Sequence, residues 1–380
     1  MKQGIQKFIQ IFYKNFVRTS IFLFNPEKVH NKALNLGKFF GKNRGLKKIT
    51  RFLYGFENHV LEQKILGITF KNPVGLAAGF DKNAEMIEIC PDLNFGFTEV
   101  GSFTGLPCEG NPKPRLWRLI KSKGIIVWYG LKNDGVEKIH SKIRNIKSEI
   151  PVGINIARTN SKEVIGLDKE IPDYVKGFKI FSDFGDYFTL NISCPNTCGG
   201  AEFHNPENLE LLLKELSKLK ISKPVFIKLT PDLSEPKIDK IIDLARKYKI
   251  KGFIASNLTK NRKVVKNYCS DDLEKIDPGV GGISGKPVEE LANNLIKYIY
   301  QKTRTHQQAG KSEFVIVGCG GIFSAKDAYK KIRLGASLVQ LITGMIFEGP
   351  QLISQINRGL VKLLKKDGFK NISEAVGVDA

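Results

Sequence analysis

The chain reads as an α/β protein, a (β/α)8 TIM barrel preceded by an N-terminal helical extension, and three features predict it. From residue 70 onward, eight short apolar, β-branched runs alternate with longer Lys-rich amphipathic stretches. Runs with such continuous apolarity suit parallel strands buried on both faces, which flanking helices must then cover. Nearly every run also ends in small or polar residues on its C-terminal side, where barrels of this kind gather their active sites. Residues 1–60 lack this alternation and are assigned to the extension, and residues 61–380 to the barrel.

Within the extension, Ile5, Phe8, Ile9, Phe12 and Phe16 recur at helical spacing, with Lys7, Lys14 and Arg18 elsewhere around the helix. Lys14, Arg18, Glu27 and Lys28 interrupt the apolar stretches before they reach the roughly 20 residues of a membrane span. Such a helix either lies in a membrane interface, its basic residues meeting anionic headgroups, or packs on the barrel. No small-residue cleavage site follows it, which argues against a secretory signal.

The eight runs are PVGLAAG from Pro73, GFTEVGS from Gly96, VGINIA from Val152, YFTLNIS from Tyr187, PVFIKLT from Pro224, GFIASN from Gly252, FVIVGCG from Phe314 and LVQLITG from Leu338. Amphipathic stretches follow, as over 207–219 and 238–248. Closing the barrel brings the run ends to one mouth: Ala78, Gly79 and Lys82, then Ser102, Asn155, Asn191, Cys194, Lys228, Ser256 and Asn257. A lysine inside an apolar strand is uncommon unless paired or functional, so Lys228 is expected to face an anion or an electron-rich ring. The segment YFTLNISCPNTCGG sets a thiol, Cys194, between the amides of Asn191 and Asn196 on a turn stiffened by Pro195. An ionised thiol acts as a base or nucleophile, and the amides can donate to and accept from a planar, carbonyl-rich ligand.

The last two units carry Gly320 and Gly321, then Thr343 and Gly344, and GGISG at 281–285 adds a third small-residue loop. Barrels bind phosphate at this position through backbone N–H groups and a helix N-terminus, so a phosphorylated cofactor is implied. A Rossmann dinucleotide fingerprint does not fit the location.

Sixty basic against 38 acidic residues give a net charge of +22, which suits an anionic cofactor or anionic lipid. Most of the excess is dispersed lysine, with no Arg-rich run or RNA-binding aromatic signature, so nucleic acid is not expected. The six cysteines are scattered without paired CxxC spacing and the five histidines are dispersed, so no metal site is expected.

Several segments resemble dihydroorotate dehydrogenases, specifically the membrane-associated, quinone-reducing class. They include NPVGLAAGFDKNAE at Asn72, GFTEVGSFTGLPCEGNPKPRLWRL at Gly96, GINIARTN at Gly153, NISCPNT at Asn191, FIKLTPDL at Phe226, SNLTKNR at Ser256, GGISGKP at Gly281 and VGCGGI at Val317. The resemblance implies FMN across the barrel mouth, held by Ala78, Gly79, Lys82, Ser102, Asn155, Asn191, Lys228, Ser256, Gly285, Gly321 and Thr343. It implies dihydroorotate against the flavin, with Lys82 at its carboxylate and Asn191, Asn196 and Asn257 at its amide edge. Cys194 would remove the C5 proton while hydride leaves C6, giving orotate in the route to UMP. FLFNPEKVHNKAL from Phe22 resembles the helices of the quinone tunnel, with His30 and Arg118 at its polar positions. The same likeness implies a monomer, peripheral on the cytoplasmic side of an inner or cytoplasmic membrane.

The chain departs from the family pattern in four places. Cys194 stands where the quinone class carries Ser, which preserves the role with a more acidic group and shifts the pH profile downward. Val127 replaces an Asn that holds orotate, Leu258 replaces a Thr, and Ile342 replaces a Tyr beside Thr343. A lost hydrogen bond to a polar ligand costs about 1 to 3 kcal/mol. Either a neighbour such as Asn133 compensates or the preferred substrate differs. A second enzyme reading therefore keeps the FMN barrel with fumarate, NAD or another acceptor, or a related cyclic substrate. A third, non-enzymatic reading is a basic membrane-surface protein on a decayed barrel, which bound flavin would exclude.

Overall fold

The computed structural model describes residues 2–193, 196–197, 199, 203–304 and 311–380. Eight strands form a closed, all-parallel barrel: β1 (Val74–Leu76), β2 (Phe97–Phe103), β3 (Val152–Ile156), β4 (Tyr187–Asn191), β5 (Val225–Leu229), β6 (Gly252–Ala255), β7 (Val315–Cys319) and β8 (Leu338–Leu341). Each strand pairs with its neighbours in sequence, and β8 closes on β1. All eight apolar runs are barrel strands. The amphipathic stretches after β4 and β5 are the helices Pro206–Ser217 and Glu235–Lys247.

The strands follow a period of two that explains their sequences. Outward residues such as Val100, Ile154, Phe188, Leu190, Ile227 and Phe253 form one apolar core with the surrounding helices. Inward residues near the strand starts, including Phe97, Tyr187, Phe226, Val317 and Leu338, make a second apolar cluster that fills the bottom. Glycines make room there: a Cβ on Gly75 would lie 2.4 Å from the Phe97 ring, and one on Gly153 would lie 2.2 Å from the Tyr187 ring. Toward the strand ends the inward residues become polar, as with Glu99, Asn155, Asn191, Lys228 and Gln340, all of them buried.

Beyond the mouth, Leu116–Leu119, Gly124–Val127 and Gly282–Gly285 form a three-stranded antiparallel sheet. The GGISG segment, expected as a loop, therefore supplies a strand. Its Ile283 is fully buried against Ile126 and Leu119, which gives this Gly-rich stretch an anchor.

The extension is helical over Lys2–Phe12, passes through a π-helical turn at Tyr13–Val17 and continues over Arg18–Phe22. Two longer helices follow. Pro26–Lys42 is capped by Asn25, whose side chain accepts from the backbone N–H groups of Glu27 and Lys28, and Arg44–Tyr54 is capped by Asn43. Along the first segment Phe8, Phe12 and Phe16 are 69%, 49% and 62% exposed and stack in a row. Its opposite side holds the barrel: Tyr13 Oη donates to the Ile346 carbonyl at 2.7 Å and Arg18 to that of Phe347 at 3.3 Å. Among the described residues no helix is long and apolar enough to cross a membrane.

Candidate active site

A single cavity of about 1090 Å³ runs from the barrel mouth outward to the N-terminal helices. Its wall contains Ala78, Gly79, Lys82, Ser102, Asn191, Asn196, Lys228, Ser256, Asn257, Gly285, Gly321 and Thr343 from the barrel, with His30 and Arg118 farther out. The structure thus brings together almost every candidate residue. Asn155 stands apart: it is fully buried beneath the wall and meets the cavity through Ser102, whose hydroxyl donates to Asn155 Oδ1. Cys194 lies outside the described residues, as do Pro195 and Cys198, while Ser193 and Asn196 on either side are buried.

Lys228 sits beside Asn191 in the β4–β5 register, only 4% exposed. Among the described residues it makes no hydrogen bond or ion pair. A buried ammonium without a partner is costly, so this position could hold an anionic or electron-rich ligand. The mouth's glycine loops are equally specific. Gly321 has φ +77°, and a Cβ there would lie 2.4 Å from Glu289 Cβ; a Cβ on Gly344 would lie 1.9 Å from the Ile322 carbonyl oxygen. At neither position is there room for a side chain, because a Cβ would collide with neighbouring protein atoms. Ser284 and Thr343 share a hydrogen bond at 2.9 Å in the same wall.

The amides form a connected rim. Asn191 Nδ2 donates to Ser102 Oγ at 2.8 Å, and its Oδ1 accepts from the Ser193 N–H at 3.2 Å. Asn257 Nδ2 donates to Ser193 Oγ at 3.1 Å. Asn196 Nδ2 donates to the Val127 carbonyl at 2.9 Å, leaving its buried Oδ1 without a partner among the described residues. That oxygen could accept from a ligand N–H. Asn133 is already committed, donating to Thr104 Oγ1 at 2.7 Å and to the Leu131 carbonyl at 2.8 Å while accepting from Gly135 N–H. It stays out of the cavity, so it does not replace the polar group lost at Val127. Val127 and Leu258 both line the wall.

At the junction with the extension, Lys82 Nζ donates to the Gly79 carbonyl at 2.7 Å and lies 3.9 Å above the Tyr129 ring centre. Burial, the largest cause, pushes this ammonium down to about 7; Arg115 and Lys132 add to the effect, while Asp81 and Glu27 oppose it. His30 is edge-on to Phe80, and burial followed by the Lys82 charge holds its imidazole well below the ordinary value. The helix bearing His30 is fastened by Glu27, which accepts from Arg115 Nη2 at 2.7 Å and Nε at 3.1 Å. Arg118 donates to the carbonyls of Phe22 and Phe24 at 3.1 and 2.9 Å and lies over the Phe22 ring. Burial lowers its guanidinium from the ordinary value.

Sequence reasoning missed three contributors. Ser284 lay inside GGISG, read for its glycines alone. Tyr129, beneath Lys82, carried no signal because an aromatic in a loop has many uses. Glu99 did carry one: it is a charged residue inside an apolar strand, the pattern that singled out Lys228. Among the described residues no group of three or more His, Cys, Asp and Glu is placed to hold a metal.

A family model described as dihydroorotate dehydrogenase matches residues 60–364. The dihydroorotate dehydrogenase (quinone) of Crocosphaera subtropica is 39% identical over 367 residues, covering 93% of this chain and 94% of its own. That of Haloarcula marismortui is 39% identical over 326 residues, covering 86% and 88%. The crystal structure of the Eimeria tenella enzyme in complex with ferulenol superposes with a TM-score of 0.80 at 28% identity, over 93% of this chain and 96% of that one. By the span of the family model and the identity of these relatives, the chain belongs to the dihydroorotate dehydrogenase family of flavin-dependent oxidoreductases.

Proposed function

We propose that this chain oxidises (S)-dihydroorotate to orotate, with FMN as its flavin and a respiratory quinone as acceptor, in pyrimidine biosynthesis toward UMP. The supporting observation is the continuity of one cavity from Asn191 and Lys228 at the barrel mouth to His30 and Arg118 at the N-terminal helices. A flavin lying in it would meet substrate from one side and quinone from the other.

The wall fits FMN. The Lys228 ammonium, without a partner among the described residues, suits the electron-rich pyrimidine edge, a preorganised charge where negative charge develops. Gly285, Gly321 and Thr343 would hold the phosphate through close backbone, while Ala78, Gly79, Lys82, Ser102, Asn191 and Ser256 border the ring; Asn155 would act through Ser102. FMN, when bound, supplies the acceptor for hydride and passes two electrons to quinone. Lys82 would face the substrate carboxylate, with Asn191, Asn196 and Asn257 on the amide edge. Cys194 Sγ would take the proton from C5.

The extension, residues 1–60, would carry membrane contact and quinone access, and residues 61–380 the chemistry. Phe8, Phe12 and Phe16 facing outward support peripheral membrane binding, which we place at the cytoplasmic side of an inner or cytoplasmic membrane. The protein would act as a monomer. The deciding experiment is anaerobic addition of dihydroorotate to the purified protein, followed by a soluble quinone. Bleaching of the flavin absorbance and quinone-dependent recovery support the proposal. A flavin-loaded protein that does not bleach defeats it and favours a related cyclic substrate, the reading that apolar Val127 and Leu258 in the wall support.

A further inference from the structure

Glu27 and His30 stand three residues apart on one face of the helix Pro26–Lys42, and both reach loops of the barrel mouth. Glu27 accepts from Arg115, whose guanidinium lies 5.1 Å from the centre of the Tyr129 ring. The Lys82 ammonium lies over the same ring, 3.9 Å from its centre. His30 closes this loop of contacts. Its Nε2 is 3.4 Å from Lys82 Nζ, and its ring centre is 6.1 Å from that of Tyr129 and 4.9 Å from that of Phe80. The one helix therefore meets Lys82 twice, directly through His30 and indirectly through Arg115 and Tyr129.

We infer that His30 is a positioning residue for the substrate: its imidazole holds the Lys82 ammonium in place for the substrate carboxylate, leaving its carbon edge to border a quinone. An ammonium only donates, so His30 Nε2 is the acceptor in this contact and the ring proton stands on the other nitrogen. The Phe80 backbone carbonyl accepts from the ring as well. A quinone, whose oxygens only accept, thus finds no free N–H on this imidazole. Among the described residues Lys82 donates to the Gly79 carbonyl and to His30, which leaves one of its three hydrogens for a carboxylate. Gly79, Tyr129 and His30 are all uncharged here, so no protein carboxylate in contact with the ammonium competes with the ligand. An acceptor facing the ammonium favours its charged form against burial, which pushes it down to about 7. Asp81 and Glu27 also favour the charge, and Arg115 and Lys132 oppose it. The inference rests on Lys82 meeting the carboxylate of dihydroorotate and orotate.

The test is the orotate dissociation constant of the flavin-loaded protein, read from the flavin difference spectrum at pH about 5 and about 8. His30→Phe keeps a ring against Phe80 but removes the acceptor, so Lys82 should titrate about one pH unit lower, the scale of one hydrogen bond to a charged group. Orotate should then bind about tenfold more weakly than to wild type at pH about 8, and within about threefold of it at pH about 5, where the lysine is charged in both proteins. His30→Gln, whose amide accepts and donates as the imidazole does, should stay within about threefold of wild type at both. Quinone KM should hold within about threefold in both variants. A merely structural role would weaken orotate equally at the two pH values. That pattern overturns the inference, as do wild-type affinity at pH about 8 in His30→Phe, absence of rescue in His30→Gln, or a quinone KM that rises while orotate affinity stands. Should His30→Phe not retain flavin, His30→Leu, smaller and equally without an acceptor, is read in its place. If the flavin-loaded wild type binds orotate at neither pH, the functional reading fails first and takes this inference with it.

Discussion

Lys82 Nζ lies 3.4 Å from His30 Nε2, a contact between the end of the first barrel unit and the first of the two longer helices of the extension. It joins the residue proposed for the substrate carboxylate to one proposed for the quinone. With His30 held below its ordinary pKa, the imidazole is neutral at neutral pH and can accept from the lysine.

The role proposed for Lys82 predicts that orotate binding is pH-dependent. Its ammonium titrates at about 7, charged below that pH and neutral above it. Affinity for a carboxylate ligand should therefore be full below pH about 7 and decline as pH rises, with proton uptake on binding at pH about 8. Calorimetry of the flavin-loaded protein with orotate, in two buffers of different ionisation enthalpy, measures that uptake. Zero uptake would show that Lys82 is not the carboxylate's partner.

Replacing Cys194 by Ala should leave FMN bound and slow flavin reduction by roughly 10² to 10⁴-fold, the usual contribution of a general base. Ser should restore part of the rate at higher pH, since a hydroxyl is the weaker acid. Stopped-flow bleaching with dihydroorotate reads both variants, and undiminished reduction in the Ala variant rules out this base.

The Glu27–Arg115 pair is closed from water, with side chains 9% and 3% exposed. Burial works to raise the Glu27 carboxyl, but the Arg115 hydrogen bonds outweigh it and hold the group below its ordinary value. Glu27→Ala leaves the guanidinium buried and unpaired on that side, at a cost of roughly 3 to 5 kcal/mol. Thermal unfolding should show a clearly lower midpoint, and the wild-type pair should weaken as pH falls through the depressed carboxyl pKa. An unchanged midpoint would mean that the pair does not hold the helix.

Phe8, Phe12 and Phe16 present a row of rings to the outside, and burying each contributes on the order of 1.5 to 3 kcal/mol. The triple change to Ser should abolish co-sedimentation with anionic vesicles while leaving activity with a water-soluble quinone intact. Retained sedimentation would shift the membrane contact to the lysine surface.

Much of this molecule was legible in its sequence because burial leaves a periodic trace. A parallel strand covered on both faces must be apolar almost throughout, and all eight such runs proved to be barrel strands. A lysine in such a strand is an anomaly with few solutions, so Lys228 stood out before its surroundings were known. GGISG was less transparent, because its strand pairing depends on a hairpin, 116–127, that lies far away in the chain.

The sequence by itself determined the barrel, the order of its strands, the candidate residues at its mouth and the family those residues resemble. Only the tertiary structure decided what each polar atom has left to give. It committed Asn133 to its own loop, withdrew Asn155 beneath Ser102, left Lys228 and Asn196 Oδ1 without partners among the described residues, and set Lys82 against His30. The physical reason is that strand periodicity is local and survives in one dimension. Hydrogen-bond saturation and desolvation depend on neighbours that the closing of the barrel brings together from distant parts of the chain.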